Sequence, residues 1–478
     1  MPEDRQQSLS VSEVISALSF ALDLTEGQPP GHAVRCCVFG MQVAQELGLP
    51  VDAQADLYYA SLMKDAGCST NASKMFRMLG MDEIKAKRDV KTTDWTKTGW
   101  ESLQYALGHV KPGAPFLERM RALVEMARNQ KQNAHDLVAV RCERGAAIAR
   151  RIGLRDAAAD AIFSLDELWC GIGQPQGLQG EAIPMLSRIM NLAQTVDVFF
   201  MTHGPDRALD MARKRSGRWF DPDVVKAFES VAARGELWPD LTRAKHLVVD
   251  LEPRQDWLVA DEATIDRICL AFADVIDAKS PFTYRHSTGV TGAAVAIART
   301  LSFAEDDVKT IRRAALLHDI GKLSVSNAIL DKPGKLTEDE WDIVKQHPYY
   351  TYEVLNRIPG FSELAEIAAS HHEKLDGSGY FRHLPPERMS VPARILVVAD
   401  IYDALAAKRP YRDALPFETV IGIMQKDAPK AIDGSCFEAL KCSVDSASQV
   451  TNDLLRLSLN IQQQQSNEVK ACASQNAA

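Results

Sequence analysis

The sequence predicts an all-α fold, built as two tandem copies of one helical domain. Three observations carry that reading. Segments rich in Ala, Leu, Glu and Lys repeat their apolar residues about every 3.6 positions, as in Thr310–Leu317, Thr337–Lys345 and Glu363–Ser370. Period-two alternation of β-branched residues is scarce, and the Leu396–Val398 run sits inside a helix-like pattern. The chain also matches itself at two fixed offsets.

At an offset of 254 residues His32 falls on His286, Ala44 on Ala298, Leu47 on Leu301, Ala60 on Ala314, Leu62 on Leu316, Asp65 on Asp319 and Gly67 on Gly321. At an offset of 206, Ser164–Asp197 runs without gaps along Ser370–Asp403, pairing Glu167 with Glu373, Gly171 with Gly377, Gly173 with Gly379 and Arg188 with Arg394. The offsets differ by 48, so the first copy carries an insertion of that size between its motifs. Glycines and acids that match at fixed offsets separate a repeat from chance likeness between Ala/Leu-rich helices. The copies span about residues 10–240 and 255–445, followed by a polar tail over 460–478 that is expected to fray. Turns are marked by Asp331–Gly334 (DKPG), Asp376–Gly379 (DGSG) and Leu384–Pro386.

Composition narrows the function. The formal net charge is −9, which argues against coating a nucleic-acid polymer but leaves room for a small phosphate ligand read by a local cluster. No run approaches the roughly 20 apolar residues of a spanning helix. The N-terminus lacks a basic region followed by an apolar one. Nine cysteines without a CxxC pair suit reduced thiols. The expectation is a cytoplasmic protein with no membrane partner; a homodimer or a signalling protein is left open as a partner.

The chemistry concentrates in the second copy. Six of the eleven histidines lie between residues 286 and 383. His286 precedes a helix, His318-Asp319 closes an apolar helix and runs into Gly321-Lys322, and His347 lies in QHP. His371-His372-Glu373 opens HHEKLDGSGY, and Asp400 sits in ADIYDAL. Imidazoles and carboxylates together suit divalent manganese, iron or zinc. Two such ions clamp a phosphoryl group and acidify water between them. A single His-Asp pair is weak, and a lone helical His is usually packed or solvated. The order of H, HD, H, HH and D on one helical domain is what points to metal.

HDIGK, HHEKLDGSGY and ADIYDAL resemble the motifs of the HD-GYP phosphodiesterases, a branch of the HD metal-dependent phosphohydrolases. The resemblance covers about Val259–Leu440 strongly and about residues 10–235 in degenerate form. It implies tandem HD-type domains, two divalent ions (iron or manganese), and a bacterial cyclic dinucleotide as substrate, cyclic di-GMP first and cyclic GMP-AMP as the alternative. Carried over by position, the ligands are His286, His318, Asp319, His347, His371, His372 and Asp400, with Asp319 and Lys322 at the reacting phosphate. Tyr380 lines the pocket, and Arg409 and Arg412 hold phosphate or guanine. A module that binds the dinucleotide without cleaving it, and a phosphohydrolase of another nucleotide, are the rival readings.

Two departures stand out. The family's GYP reads Gly379-Tyr380-Phe381, and Phe282 stands where three-metal members carry a glutamate, so two ions are expected. In the first copy Lys64 replaces the His of the HD pair, Leu165-Asp166 replaces His-His, and Gln194 replaces the late Asp. That copy is expected to bind no catalytic metal and to serve as a structural or regulatory partner.

Overall fold

The structure, a computed structural model, describes residues 9–79, 82–90, 110, 115, 117–121, 130–253, 255, 257–283, 285–408 and 413–445. Arg409, Arg412 and the tail over 460–478 therefore lie outside the described residues. The all-α expectation holds: the described residues form helices and short 3-10 turns, with one isolated bridge between Ser216 and Phe220. No helix among them is long and apolar enough to cross a membrane.

The segments read as helical from sequence are helical. TIRRAALL lies within Glu305–Leu317 and ELAEIAAS within and just beyond Ser362–Ala369. TEDEWDIVK contains the helix Glu338–Val344, which starts at a reciprocal cap: Thr337 accepts from Glu340 N, and the Glu340 side chain accepts from Thr337 N. Leu396–Val398 is buried in the middle of the helix Val391–Ala406, which Ser390 caps through Ala393 N.

By packing, the chain divides into two compact units, Met1–Tyr284 with Asp319–Ala365, and Arg285–His318 with Glu366–Ala478. The repeat and the packing units are different partitions, because the second partition runs through the His318–Asp319 peptide bond. In the first unit, helices His32–Glu46, Val51–Met63 and Met185–His203 pack together, burying Phe39, Tyr58, Leu62 and Ile189. The helix Val11–Thr25 of that unit packs on the turn Ile320–Ser324 and on the helix His347–Leu355. In the second unit, His286–Thr300 packs on Glu305–Leu317, Val391–Ala406 and Gly434–Asp445, burying Ile297, Leu317, Val398 and Leu440. Burial of such side chains, each contributing roughly 1.5–3 kcal/mol, is what sets the helices that carry the polar residues below.

Candidate metal centre

The second unit gathers His286, His318, His371, His372 and Asp400. His286 opens its helix, His318 ends the apolar helix before it, and Asp400 faces them from Val391–Ala406. His286 Nε2 lies 3.1 Å from Asp400 Oδ1, His318 Nε2 4.0 Å from the same oxygen, and His372 Nδ1 3.8 Å from Oδ2. The His318 and His371 rings meet edge to face at 4.8 Å, and the His371 and His372 rings lie 4.1 Å apart. His318 and His371 are almost completely buried, and Asp400 is only 7 % exposed. Burial pushes the Asp400 carboxyl up, but the hydrogen bond from His286 and the charges of His286, His372 and His318 outweigh it. The net result holds Asp400 well below the usual carboxylate range.

The first unit holds Asp319, Lys322 and His347. Lys322 Nζ lies 2.6 Å from Asp319 Oδ2, and His347 Nε2 3.4 Å from Asp319 Oδ1. Gly321 allows this arrangement. A Cβ there would overlap the His347 carbonyl, whereas hydrogen lets the turn lie directly on the helix His347–Leu355. Gly321 N then donates to Thr351 Oγ1 at 3.1 Å.

The donor set fits divalent metal. Each of four imidazoles is tied back through Nδ1: His318 to Ala315 O at 2.8 Å, His347 to Val344 O and His371 to Ala368 O at 2.6 Å, and His286 to Asp403 Oδ2 at 2.7 Å. An Nδ1–H held by a carbonyl or carboxylate fixes the tautomer and the ring plane, and leaves Nε2 as the ligand atom. His286, His318 and Asp400 also place one ligand atom each within 4.8 Å of one another.

Asp403 and Glu373 appear in the sequence reading as repeat matches without a role, and Gly289 does not appear there. Asp403 orients His286, and Gly289 makes room for it, since a Cβ on Gly289 would overlap the Asp403 carboxylate. Glu373, the acid of HHE, is fully buried and clamps the following loop, accepting from Phe381 N at 3.1 Å, Arg382 N at 2.7 Å and Leu384 N at 3.0 Å. The Phe381 departure has a physical meaning here: a proline at that position has no N–H to give to Glu373. Tyr380 stacks near His372 at 4.8 Å between ring centroids.

Comparison with known proteins gives the family. The sequence matches the HD domain family over residues 121–224 and 271–436. It is 42% identical to the 3'3'-cGAMP-specific phosphodiesterase 3 of Vibrio cholerae serotype O1, over 91% of this chain and 95% of that protein. The chain belongs to the HD-GYP phosphodiesterases. A crystal structure of a cyclic GMP-AMP specific phosphodiesterase of V. cholerae, V-cGAP3, superimposes with a TM-score of 0.64 at 39% identity, covering 92% of this chain and 98% of that one. The cyclic di-GMP phosphodiesterase response regulator RpfG of Xanthomonas campestris pv. campestris is 40% identical over 30% of this chain and 39% of its own length. HD domain phosphohydrolases are metal-dependent, and the second copy of this chain carries the HD pair and the HHE segment, with Phe381 in place of the proline of GYP.

The first copy keeps the frame of that site with other residues at several of the ligand positions; among its described residues His32, Cys36 and Asp197, and Glu26, Asp65 and Cys68, are the groups with donor atoms close enough to share an ion. His32 Nδ1 pairs with Asp197 Oδ2 at 2.6 Å, as His286 pairs with Asp403. Glu167 clamps its loop through the N–H groups of Gln176, Gly177 and Leu178, as Glu373 does. Gly67 lies against the Arg141 carbonyl as Gly321 lies against that of His347, so the 206-residue offset extends back to Arg141. Arg141 thus stands at the position of His347 and pairs with Asp166, while Lys64 stands at that of His318 and pairs with Asp65. At the position of Gly289, Arg35 reaches Asp197 Oδ1 through Nε at 2.6 Å.

Proposed function

We propose that this phosphodiesterase hydrolyses 3'3'-cGAMP, with cyclic di-GMP as its second substrate. The sequence motifs alone put cyclic di-GMP first. The observation that reverses the order is the likeness, along nearly the whole of both chains, to a 3'3'-cGAMP-specific enzyme, while RpfG matches under a third of this chain.

We further assign two divalent ions, iron or manganese, to His286, His318, Asp319, His347, His371, His372 and Asp400. The tied-back imidazoles and the low-lying Asp400 carboxyl support that assignment. When bound, the ions supply Lewis-acid charge to the phosphoryl oxygens and acidify water for attack at phosphorus. The chain's own residues do the rest. Asp403 holds His286 in one ring orientation. Lys322, half-turned to solvent beside Asp319, donates to a non-bridging phosphate oxygen, where a cation matters most as negative charge develops. Tyr380 offers an aromatic face to a base, on a loop whose backbone Glu373 fixes. Arg409 and Arg412 grip phosphate or guanine. The protein acts in the cytoplasm, a placement supported by described cysteines that form no disulfide.

Purified protein supplied with manganese or ferrous iron is expected to turn over 3'3'-cGAMP faster than cyclic di-GMP, and simple phosphate monoesters hardly at all. Equal or faster turnover of cyclic di-GMP would overturn the substrate order. Binding of either dinucleotide without turnover would favour a signalling module.

A further inference from the structure

A short helix of the first copy sends a buried carboxylate to the loop that follows Lys322. Glu83 lies on the short helix Glu83–Val90 of the first copy. A carboxylate in so polar a helix would ordinarily face water, yet Glu83 is fully buried. It accepts from Ser326 Oγ at 2.8 Å and from Asn327 N at 2.9 and 3.0 Å, and Lys279 Nζ, itself 2 % exposed, stands 3.4 Å away. Asn327 Nδ2 donates in turn to Lys279 O and to Asp331 Oδ2, both at 2.8 Å. All these residues belong to one compact unit.

Ser326 is four residues beyond Lys322 and two beyond the end of the turn Ile320–Ser324, where it caps the helix Asn327–Leu330. That turn is held at one end by Gly321 against Thr351 and the helix His347–Leu355. Glu83 holds the chain just past the other end, at Ser326 and Asn327. Burying a carboxylate and an ammonium costs several kcal/mol unless the geometry repays it, so a pair placed here is weak evidence of a stability device. Its bonds converge on the chain that directly follows the turn carrying Lys322.

We infer that Glu83, with Lys279 as its counter-charge, is a positioning residue for the second copy's reaction, holding the Ile320–Ser324 turn so that Lys322 sits beside Asp319. The inference rests on the phosphate-binding role given to Lys322 above. It gives the first copy a specific part in a reaction it does not itself perform.

The test uses the full-length chain and the double variant Glu83→Ala/Lys279→Met, which removes both buried charges together. With 3'3'-cGAMP as substrate, kcat is expected to fall roughly tenfold, since small misplacements of a catalytic group are costly in rate. KM should stay within about twofold and metal content should be unchanged. On a Lys322→Ala background the same pair should change the residual rate by less than about twofold, because the group it positions is gone. A wild-type kcat in the folded double variant, or an equal loss on the Lys322→Ala background, overturns the inference. If the double variant loses its helical circular dichroism, Glu83→Gln decides the matter: it keeps the volume and one acceptor, and should lower kcat about threefold with the same dependence on Lys322. Unchanged turnover in Glu83→Gln would overturn the idea. A wild-type chain that cleaves neither 3'3'-cGAMP nor cyclic di-GMP would remove the functional reading and this inference together. An active wild type with unaffected variants removes the inference alone.

Discussion

The two copies solve the same electrostatic problem in opposite ways. In the second, His286, His318 and His372 lie around Asp400 with neutral-capable donors, and Asp319 is shared between His347 and Lys322. Such a set is complete only with added positive charge. In the first, the buried and half-buried acids already have cations from the chain: Lys64 for Asp65, Arg141 for Asp166, Arg35 for Asp197, and Lys87 at 3.1 Å for Glu26. Buried charge is tolerated when it is paired, and a guanidinium or an ammonium can do for an acid what a metal ion does. What it cannot do is offer an open coordination position. The difference teaches that the first copy keeps a buried polar centre in which the acids are met by cations of the chain itself.

The largest effect expected from breaking this comparison comes from the second copy. His318→Ala and Asp319→Ala should each abolish hydrolysis to the assay floor while leaving the helical circular dichroism largely intact, because apolar packing carries the fold. Turnover that survives in either variant, with metal still present, would contradict the ligand assignment.

The first copy should respond in stability instead. Lys64→Met leaves Asp65, 2 % exposed, beside a thioether, and breaking a buried pair from one side typically costs about 3–5 kcal/mol. The denaturation midpoint should drop accordingly, while metal content stays at the wild-type value. A variant that instead gains metal would show that the lysine alone had kept the site shut.

The two loop clamps offer a sharper contrast. Glu167→Gln and Glu373→Gln each weaken three backbone hydrogen bonds to a carboxylate, and each should cost about 1.5–3 kcal/mol. Only Glu373→Gln should also raise KM, because only its loop carries Tyr380 beside His372. Equal kinetic effects from both substitutions would dissolve the distinction. Smaller still is Phe381→Pro, which removes one N–H donor to Glu373 and should cost about 1 kcal/mol, read as a modest fall in thermal midpoint.

Much of this was legible in the sequence. Helix periodicity placed Thr310–Leu317 and Glu363–Ser370 correctly, and the duplicated glycines exposed the repeat, because glycine is irreplaceable where Gly67 and Gly321 touch a neighbouring carbonyl. The histidines and acids of the second copy were named because metal-ligand residue types are few. What stayed hidden is what has no fixed letter. Arg141 was missed because a cation in place of a histidine looks like an ordinary helix-surface residue, and because the insertion breaks the register before it. Asp403 matched Asp197 at the right offset but shows its role only once His286 Nδ1 is seen 2.7 Å away. Glu373 reads as a solvated helix end until its three N–H partners are found. Glu83 gives no signal at all, since a carboxylate in EIKAKRDV is what an exposed helix contains.

The most direct measurement of the central claim is the location and number of metals in crystals of the full-length chain grown with manganese, read from anomalous scattering. Two peaks are expected, both among His286, His318, Asp319, His347, His371, His372 and Asp400. No peak is expected beside Lys64, Asp65 and Arg141. A third peak near Phe282, or any occupied site among Glu26, Asp65 and Cys68 of the first copy, would contradict the account.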